Sequence, residues 1–255
     1  MIHSEDVSRA TVTAENLTKI FHDKSRGEVR AVDGIDFGCS SGEIFGLLGP
    51  NGAGKTTTLR MVATVLEPTS GRISVLGRNT RKHPVLTRRS MGFYSSTTAL
   101  YQKLTARETV EFFAGINGYP EAKIRNRAED LIRSFDMESF ANTRVEKLSQ
   151  GMKQKVSLAR TVAHDPPVLV FDEPTMGLDV INAVRTRKII TELRDQGKTV
   201  LFSTHVMSEA EKLCDRIAII HEGRLLACGT MEELRRRTGL HYLEDVFLHL
   251  LREEE

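Results

Sequence analysis

The segment Gly49-Pro50-Asn51-Gly52-Ala53-Gly54-Lys55-Thr56 decides the fold of this chain. It matches the pattern G-x-x-x-x-G-K-[ST], which is typical of a phosphate-binding loop between a strand and a helix. The flanking residues fit that context. The apolar residues 44–48 predict a buried parallel strand before the loop, and residues 56–62 predict a helix after it. The sequence therefore predicts a nucleotide-binding loop rather than an ordinary glycine-rich turn.

The residue types in the loop suit a triphosphate. Glycines let the backbone N–H groups approach phosphate oxygens, and the N-terminus of the following helix adds partial positive charge. Lys55 can reach the β- and γ-phosphates, and the Thr56 hydroxyl is a suitable ligand for Mg²⁺. The residues that we expect to bind the nucleotide here are Gly49, Pro50, Asn51, Gly52, Ala53, Gly54, Lys55, Thr56 and Thr57.

Length and composition limit the possible classes of protein. The 255 residues can bury the core of a large α/β domain. The 36 Lys and Arg residues against 34 Asp and Glu leave a net charge of +2, which disfavours nucleic acid and anionic membrane surfaces as partners. The apolar runs are too short to span a membrane, and residues 1–6 lack the start of a signal peptide. The three cysteines are scattered, so we expect free thiols in a cytoplasmic protein.

The first half of the chain predicts two kinds of layer. Residues 11–21 and 29–37 have the composition of antiparallel strands, separated by the polar turn 22–27, and residues 72–77 predict a further strand. Residues 104–163 follow a helical period between two parts of the parallel core. This position predicts an inserted helical subdomain.

The second half alternates strand and helix. Residues 168–172 and 199–203 predict buried strands, with the helix 183–196 between them. This alternation predicts a doubly wound, mostly parallel sheet. A hairpin over residues 216–227 and an amphipathic helix over 243–251 complete the pattern, and we expect the apolar face of that helix to pack on the domain.

Polar residues at the ends of predicted elements provide the chemistry. Asp172 and Glu173 end a buried strand, where Asp172 would hold Mg²⁺ and Glu173 would orient and deprotonate the attacking water. Upstream, Ser149 can cap a helix and Gly151 permits close backbone approach, which suits an anion. Taken alone, the local sequence of that second segment favours an ordinary capped helix.

The order of these motifs resembles the ATP-binding subunit of ABC transporters over nearly the whole chain. Residues 49–56 resemble the Walker A motif, residues 148–154 the ABC signature and residues 168–173 the Walker B motif. Residues 177–179 resemble the D-loop, and His205 resembles the switch histidine. The resemblance implies ATP and Mg²⁺ as cofactors, and a RecA-like P-loop NTPase fold of the α/β class with an N-terminal antiparallel β layer.

The resemblance also implies a head-to-tail dimer that holds two ATP molecules between its subunits, most simply a homodimer. Ser149 and Gly151 would contact the γ-phosphate bound to the partner subunit, and Gln154 completes the same motif. Asp179 would cross the dimer interface. His205 would hold the γ-phosphate and link it to the catalytic base.

One aromatic residue has two interpretations. Phe21 occupies the position whose ring stacks on adenine in the family. A core aromatic residue at the end of a strand would give the same pattern.

Two positions depart from the commonest family pattern. Gln150 and Met152 stand where the signature usually has Gly and Gln. Ser96 stands where most members have the glutamine that meets Mg²⁺ and the membrane partner. Serine is shorter, so Ser96 could reach the metal only at close range or through water.

The resemblance implies an ATPase that powers export through a separate integral membrane permease, at the cytoplasmic face of the membrane. Residues 153–160 and 164–167 are most similar to sodium-exporting, NatA-type subunits. Drugs, lipids or polysaccharides are alternative cargoes, and a soluble ABC-type regulatory ATPase is an alternative class. We expect an ATP-binding domain over residues 1–235, with the helical subdomain at about 97–163, and a packed C-terminal helix within 236–255.

Overall fold

Two sheets and a set of short helices position the glycine-rich loop. The computed structural model describes residues 10–23 and 27–253. Residues 1–6, for which no signal peptide is predicted, lie outside the described residues. So does the middle of the turn predicted at 22–27. Numbered along the chain, the strands are β1 (Ala10–Asp23), β2 (Gly27–Ser40), β3 (Ile44–Leu48), β4 (Ser70–Val75), β5 (Arg78–Asn79), β6 (Met91–Ser95), β7 (Val168–Asp172), β8 (Thr199–Thr204), β9 (Arg216–His221) and β10 (Arg224–Gly229).

The helices connect these strands and cover the sheets. They are α1 (Lys55–Val62), α2 (Pro84–Arg89), α3 (Ala106–Ile116), α4 (Ile124–Ser134), α5 (Gln150–Thr161), α6 (Val180–Asp195), α7 (Met207–Leu213), α8 (Met231–Thr238) and α9 (Leu243–Arg252).

The central sheet has the strand order β10-β9-β3-β8-β7-β6. Strand β10 is antiparallel to β9, and the pairs from β9 to β6 are parallel. Every residue of β3, β7 and β8 is buried, as expected for parallel strands that are covered on both faces. The predicted mostly parallel sheet is therefore confirmed, and the carboxyl ends of its strands meet at one edge.

The N-terminal strands form a second, antiparallel sheet with the order β2-β1-β4-β5. It packs on the central sheet through a shared apolar core, in which the rings of Phe37 and Phe45 stack with their centroids 5.5 Å apart. The predicted antiparallel layer is confirmed, although β1 and β2 are longer than the strands predicted at 11–21 and 29–37.

Helices α3, α4 and α5 lie between β6 and β7 in the order of the chain. Helix α3 begins with a capping box, in which Thr105 and Glu108 each bind the other's backbone N–H. The buried residues of α3 and α4, such as Val110, Ala128 and Ile132, share one core with Phe171 of β7. The helical segment thus packs against the central sheet through this shared apolar core.

The C-terminal helices pack on the edge of the central sheet. Val246 and Leu250 of α9 join Ile217 and Ile219 of β9 in a third apolar core. The apolar face predicted for residues 243–251 is therefore buried against β9. In the part of the chain that the structure describes, no helix combines the length and apolar character needed to cross a membrane.

Several short elements were absent from the sequence-based prediction. Helices α2, α7 and α8 have only 6, 7 and 8 residues. A helix of about two turns shows too little of its period to be recognised. Helix α6 begins at Val180, three residues before the predicted start at residue 183, because Asp179 caps it.

Candidate active site

The glycine-rich loop joins β3 to α1, and two of its glycines are required by their surroundings. At Gly54, φ is +103° and a Cβ atom would lie 2.4 Å from the carbonyl oxygen of Ala31. At Gly49, a Cβ atom would lie 2.1 Å from the carbonyl oxygen of Ile220. Neither position can accept a larger residue without a shift of the backbone.

The turn between β9 and β10 braces the same loop from the C-terminal part of the chain. The backbone N–H of Gly223 donates to the carbonyl oxygen of Ala53 at 3.0 Å, and the carbonyl oxygen of Gly223 accepts from Asp33 N–H at 2.8 Å. The loop is therefore fixed from outside as well as by its own glycines.

Lys55 places its ammonium group at the mouth of the loop. Its side chain is only 4% exposed, and its Nζ donates to the carbonyl oxygens of Gly49 at 2.8 Å and Pro50 at 3.0 Å. The same Nζ lies 3.5 Å from a carboxylate oxygen of Glu173. Burial lowers the pKa of Lys55, and the carboxylate of Glu173 opposes that shift. A buried cation in this position can bind phosphate oxygens.

Asp172 and Thr56 place a carboxylate oxygen and a hydroxyl oxygen side by side next to the loop. The Thr56 hydroxyl donates to Oδ1 of Asp172 at 2.9 Å, and the Ser203 hydroxyl donates to the same oxygen at 2.8 Å. Mg²⁺ prefers such oxygen ligands and is usually held by one or two protein groups together with phosphate and water. The donor set of Thr56 and Asp172 therefore fits Mg²⁺.

Glu173 follows Asp172 and faces the histidine predicted to be its partner. His205 Nδ1 lies 3.2 Å from Oε2 of Glu173. Glu173 has a φ of +47°, an uncommon conformation for a residue with a side chain, and its N–H donates to the Ser203 hydroxyl at 3.0 Å. The strained backbone and the bond to Ser203 hold the carboxylate between Lys55 and His205.

The predicted signature segment forms the start of α5. Ser149 is the N-cap residue, and its hydroxyl accepts a hydrogen bond from Met152 N–H at 3.3 Å. Gln154 donates from Nε2 to the carbonyl oxygen of Pro174 at 2.6 Å, so it links α5 to the turn after Glu173. A Cβ atom on Gly151 would lie 3.7 Å from the side-chain nitrogen of Asn182.

Gly151 and Asn182 are therefore close together, so the start of α5 lies beside the start of α6. Asp179 is the N-cap residue of α6. Asp179 accepts hydrogen bonds from the Asn182 backbone N–H at 2.9 Å and from its side-chain amide at 2.6 Å. These bonds lower the pKa of Asp179, so the carboxylate is held in its charged form.

Comparison with known proteins agrees with this geometry. The family model described as "ABC transporter" matches residues 32–176. The chain is 40% identical to the ABC transporter ATP-binding protein NatA of Bacillus subtilis (strain 168), over 91% of this chain and 96% of that protein. The chain belongs to the ABC transporter family.

Another ABC relative is named for a different cargo, and solved structures of related subunits share the fold. The chain is 42% identical to Nod factor export ATP-binding protein I of Rhizobium sp. (strain N33), over 83% of this chain and 69% of that protein. Among solved structures, an ATP-binding subunit of an ABC transporter is 31% identical, with a TM-score of 0.85 and coverage of 94% of this chain and 99% of that one. A dimeric ATP-binding cassette in a post-hydrolysis state with ADP and Pi is 27% identical, with a TM-score of 0.78 over 86% of this chain and 98% of that one.

These comparisons confirm the predicted family and the predicted P-loop NTPase fold. The chain is the ATP-binding subunit of an ABC transporter, an ATPase whose hydrolysis is coupled to transport. ABC subunits of this kind form dimers and pair with membrane permeases.

The position of Phe21 separates its two interpretations. Phe21 lies near the end of β1 and is 40% exposed, with Lys19 Nζ 5.1 Å from the centre of its ring. The alternative of a core aromatic residue is therefore wrong, and the ring is accessible to a ligand.

The segment after β6 shows where Ser96 lies relative to the predicted metal ligand. Ser96 is exposed and follows the end of the strand, in a cleft also lined by Gln154 and Gly177. Its buried neighbour Ser95 pairs with Asp172 in the register of β6 and β7. The strand therefore aligns Ser95, rather than Ser96, with Asp172.

Sequence reasoning missed Ser203, which bonds to both acidic residues of the site. Its hydroxyl accepts from Glu173 N–H and donates to Asp172. The available signal was a hydroxyl residue at the end of the apolar strand predicted at residues 199–203.

Proposed function

We propose that this chain hydrolyses MgATP to power export through a separate membrane permease, with Na⁺ as the cargo. The observation that carries the ATPase part is the convergence of Lys55, Asp172, Glu173 and His205 at one edge of the sheet. The similarity to NatA over nearly the full length of both chains supports the choice of Na⁺.

The binding roles follow from charge and position. Lys55 and the backbone N–H groups at the start of α1 bind the phosphates, and Thr56 and Asp172 would hold Mg²⁺. When bound, Mg²⁺ supplies positive charge that neutralises the phosphate oxygens. The exposed ring of Phe21 stacks on the adenine base.

Hydrolysis uses the pair of Glu173 and His205. Glu173 accepts the proton of the attacking water, because its carboxylate is held beside the phosphate-binding ammonium of Lys55. His205 orients the Glu173 carboxylate from the other side at 3.2 Å and contacts the γ-phosphate. Ser203 fixes the backbone that carries Glu173.

A second copy of the chain completes the site in a head-to-tail homodimer. Ser149, Gly151 and Asp179 lie at the adjacent starts of α5 and α6, where they can meet the nucleotide and loop of the partner. The beginning of α6 is apolar and exposed, with Val180 79% accessible, which suits burial on dimerisation.

The permease docks in the cleft between the central sheet and the helical segment. Met91, Phe93 and Phe113 line this cleft together with Tyr101, which is 56% exposed. The charged side chains that line it are those of Arg88 and Arg160, and no Asp or Glu is among its described lining residues. A short amphipathic helix with acidic side chains would match both the apolar lining and this charge.

The proposal extends to the domains and the location. Residues 1–235 form the ATP-binding domain, with the helical subdomain at about 97–163, and the final helix within 236–255 packs on it through Val246 and Leu250. Docking on a permease places the protein at the cytoplasmic face of the membrane.

Affinity purification from detergent-solubilised membranes tests the proposal. A membrane protein should copurify in fixed stoichiometry, and vesicles reconstituted with both proteins should move labelled Na⁺ only when ATP is supplied. ATP-dependent transport of a drug, a lipid or a polysaccharide without Na⁺ would replace Na⁺ as the cargo. Recovery without any membrane protein would favour a soluble regulatory ATPase.

A further inference from the structure

Glu209 is a buried carboxylate that lies behind the candidate active site. It belongs to the first turn of α7 and is only 4% exposed. A buried charge is costly unless it is paired and hydrogen-bonded. Glu209 meets this condition through three side chains from three different segments.

One carboxylate oxygen bridges the two segments that carry the catalytic pair. Oε2 of Glu209 accepts from the Thr204 hydroxyl at 2.7 Å and from the Thr175 hydroxyl at 3.0 Å. Thr204 immediately precedes His205, and Thr175 lies two residues after Glu173. The shared oxygen therefore joins the segments on which Glu173 and His205 stand.

The other oxygen extends the connection to α6. Oε1 of Glu209 accepts from Nη1 of Arg187 at 3.3 Å. Helix α6 begins at Val180, directly after its N-cap Asp179 and beside the start of α5. Glu209 thus connects three segments, namely the turn after β7, the end of β8 and the helix that starts at the proposed dimer surface.

These partners are separate from the groups that bind phosphate. Lys55 bonds to the loop carbonyls and faces Glu173, while Asp172 is held by Thr56 and Ser203. Weakening the Glu209 contacts should therefore disturb the alignment of Glu173 with His205 and leave the phosphate loop intact.

We propose that Glu209 is a positioning residue for hydrolysis, which sets the distance between Glu173 and His205 by clamping the segments that carry them. The inference rests on the proposed roles of those two residues. A misplacement of about 1 Å at a reacting group can cost roughly 10²-fold in rate. We expect Glu209→Gln to lower kcat by about 10- to 100-fold with the KM for ATP changed by less than about twofold.

The variants are chosen to separate positioning from folding. Glu209→Gln keeps the side-chain size, but one oxygen becomes an amide that cannot accept a hydrogen bond. Thr175→Val removes one hydroxyl of the clamp, and Thr175→Ser restores it. Glu192→Gln on α6 is the control, because the Glu192 side chain is exposed and pairs only with Lys188 at 3.8 Å in the described contacts.

Steady-state ATPase activity and thermal unfolding of the full-length variants give the first result. Thr175→Val should reduce kcat in the same direction as Glu209→Gln, whereas Thr175→Ser and Glu192→Gln should resemble the unmodified protein. Wild-type kcat in both Glu209→Gln and Thr175→Val would overturn the inference. If Glu209→Gln fails to fold, the pair of Thr175 variants decides.

A double-mutant cycle with His205→Ala gives a result that a purely structural role would not. Single-turnover hydrolysis measures the slow variants. If Glu209 acts through His205, adding Glu209→Gln to His205→Ala should reduce the rate by less than about twofold. A full multiplicative loss would overturn the clamp, while wild-type turnover of His205→Ala alone would instead refute the proposed role of His205.

Discussion

Replacing Glu173 with glutamine tests the assignment of the catalytic base. The amide is nearly the same size, but it cannot accept a proton from water. The contact of its side chain with His205 can largely persist, and so can the hydrogen bond from its backbone N–H to the Ser203 hydroxyl. We expect kcat for ATP hydrolysis to fall by about 10²-fold or more, the lower end of the contribution of a general base.

The same substitution should strengthen ATP binding. The Lys55 ammonium lies 3.5 Å from the Glu173 carboxylate, and a phosphate oxygen bound to it would lie roughly 3 Å beyond. Two negative charges roughly 6 Å apart repel by about 0.7 kcal/mol at the dielectric constant of water and by about 2.8 kcal/mol at an effective value of 20. Removing one charge therefore predicts a gain in ATP affinity of about 3- to 100-fold.

The assay combines phosphate release with calorimetric titration of ATP, on the full-length protein in the presence of Mg²⁺. Glu192→Gln on the exposed face of α6 is the matched control and should leave both quantities unchanged. Normal turnover in Glu173→Gln would show that another group accepts the proton. Slow turnover with weaker ATP binding would refute the electrostatic reasoning.

Three further substitutions test the loop, the metal ligand and a partly buried histidine. Gly49→Ala should weaken ATP binding and lower the melting temperature, because its methyl group would meet the Ile220 carbonyl, whereas Gly38→Ala adds a methyl with only ordinary contacts. Thr56→Val should raise the Mg²⁺ concentration needed for half-maximal ATPase activity, and an unchanged requirement would exclude Thr56 as a ligand. Burial lowers the pKa of His164 from its usual 6.5 to about 4. As pH falls from 6.5 to 4, His164 therefore becomes protonated in the unfolded chain before it does in the folded chain, and the free energy of unfolding decreases. Between pH 7.5 and pH 5, His164→Gln should remove about 2 kcal/mol of this pH-dependent loss in the free energy of unfolding, and equal pH dependence in both proteins would contradict the effect.

The sequence predicted the phosphate loop and the positions of most core strands along the chain because each depends on local patterns. The loop has a nearly fixed spacing, and fully buried strands such as β7 and β8 appear as continuous apolar runs. Long helices with a clear period, such as the segment that contains Val110 and Ala128, were recognised for the same reason.

The contacts that depend on tertiary structure could not be predicted. Ser203 becomes part of the site only because β8 lies beside β7, which aligns Ser203 with Asp172. Glu209 looks like an ordinary surface residue in the sequence, since nothing local indicates that Thr175 and Thr204 converge on it. The distinction between Ser95 and Ser96 likewise depends on strand register.

The bond between Gly223 and the phosphate loop has a consequence for how the protein is made. The loop at residues 49–56 is synthesised early, but the residues that hold it in place are synthesised late. Strand β3 lies between β8 and β9, and Ala53 accepts a hydrogen bond from Gly223. The chain must therefore leave the ribosome as far as Gly223, close to nine-tenths of its 255 residues, before the loop can take its final shape. A nascent chain that has exposed only its first two hundred residues carries every letter of the phosphate-binding motif, yet it lacks the neighbours that would let the motif hold ATP.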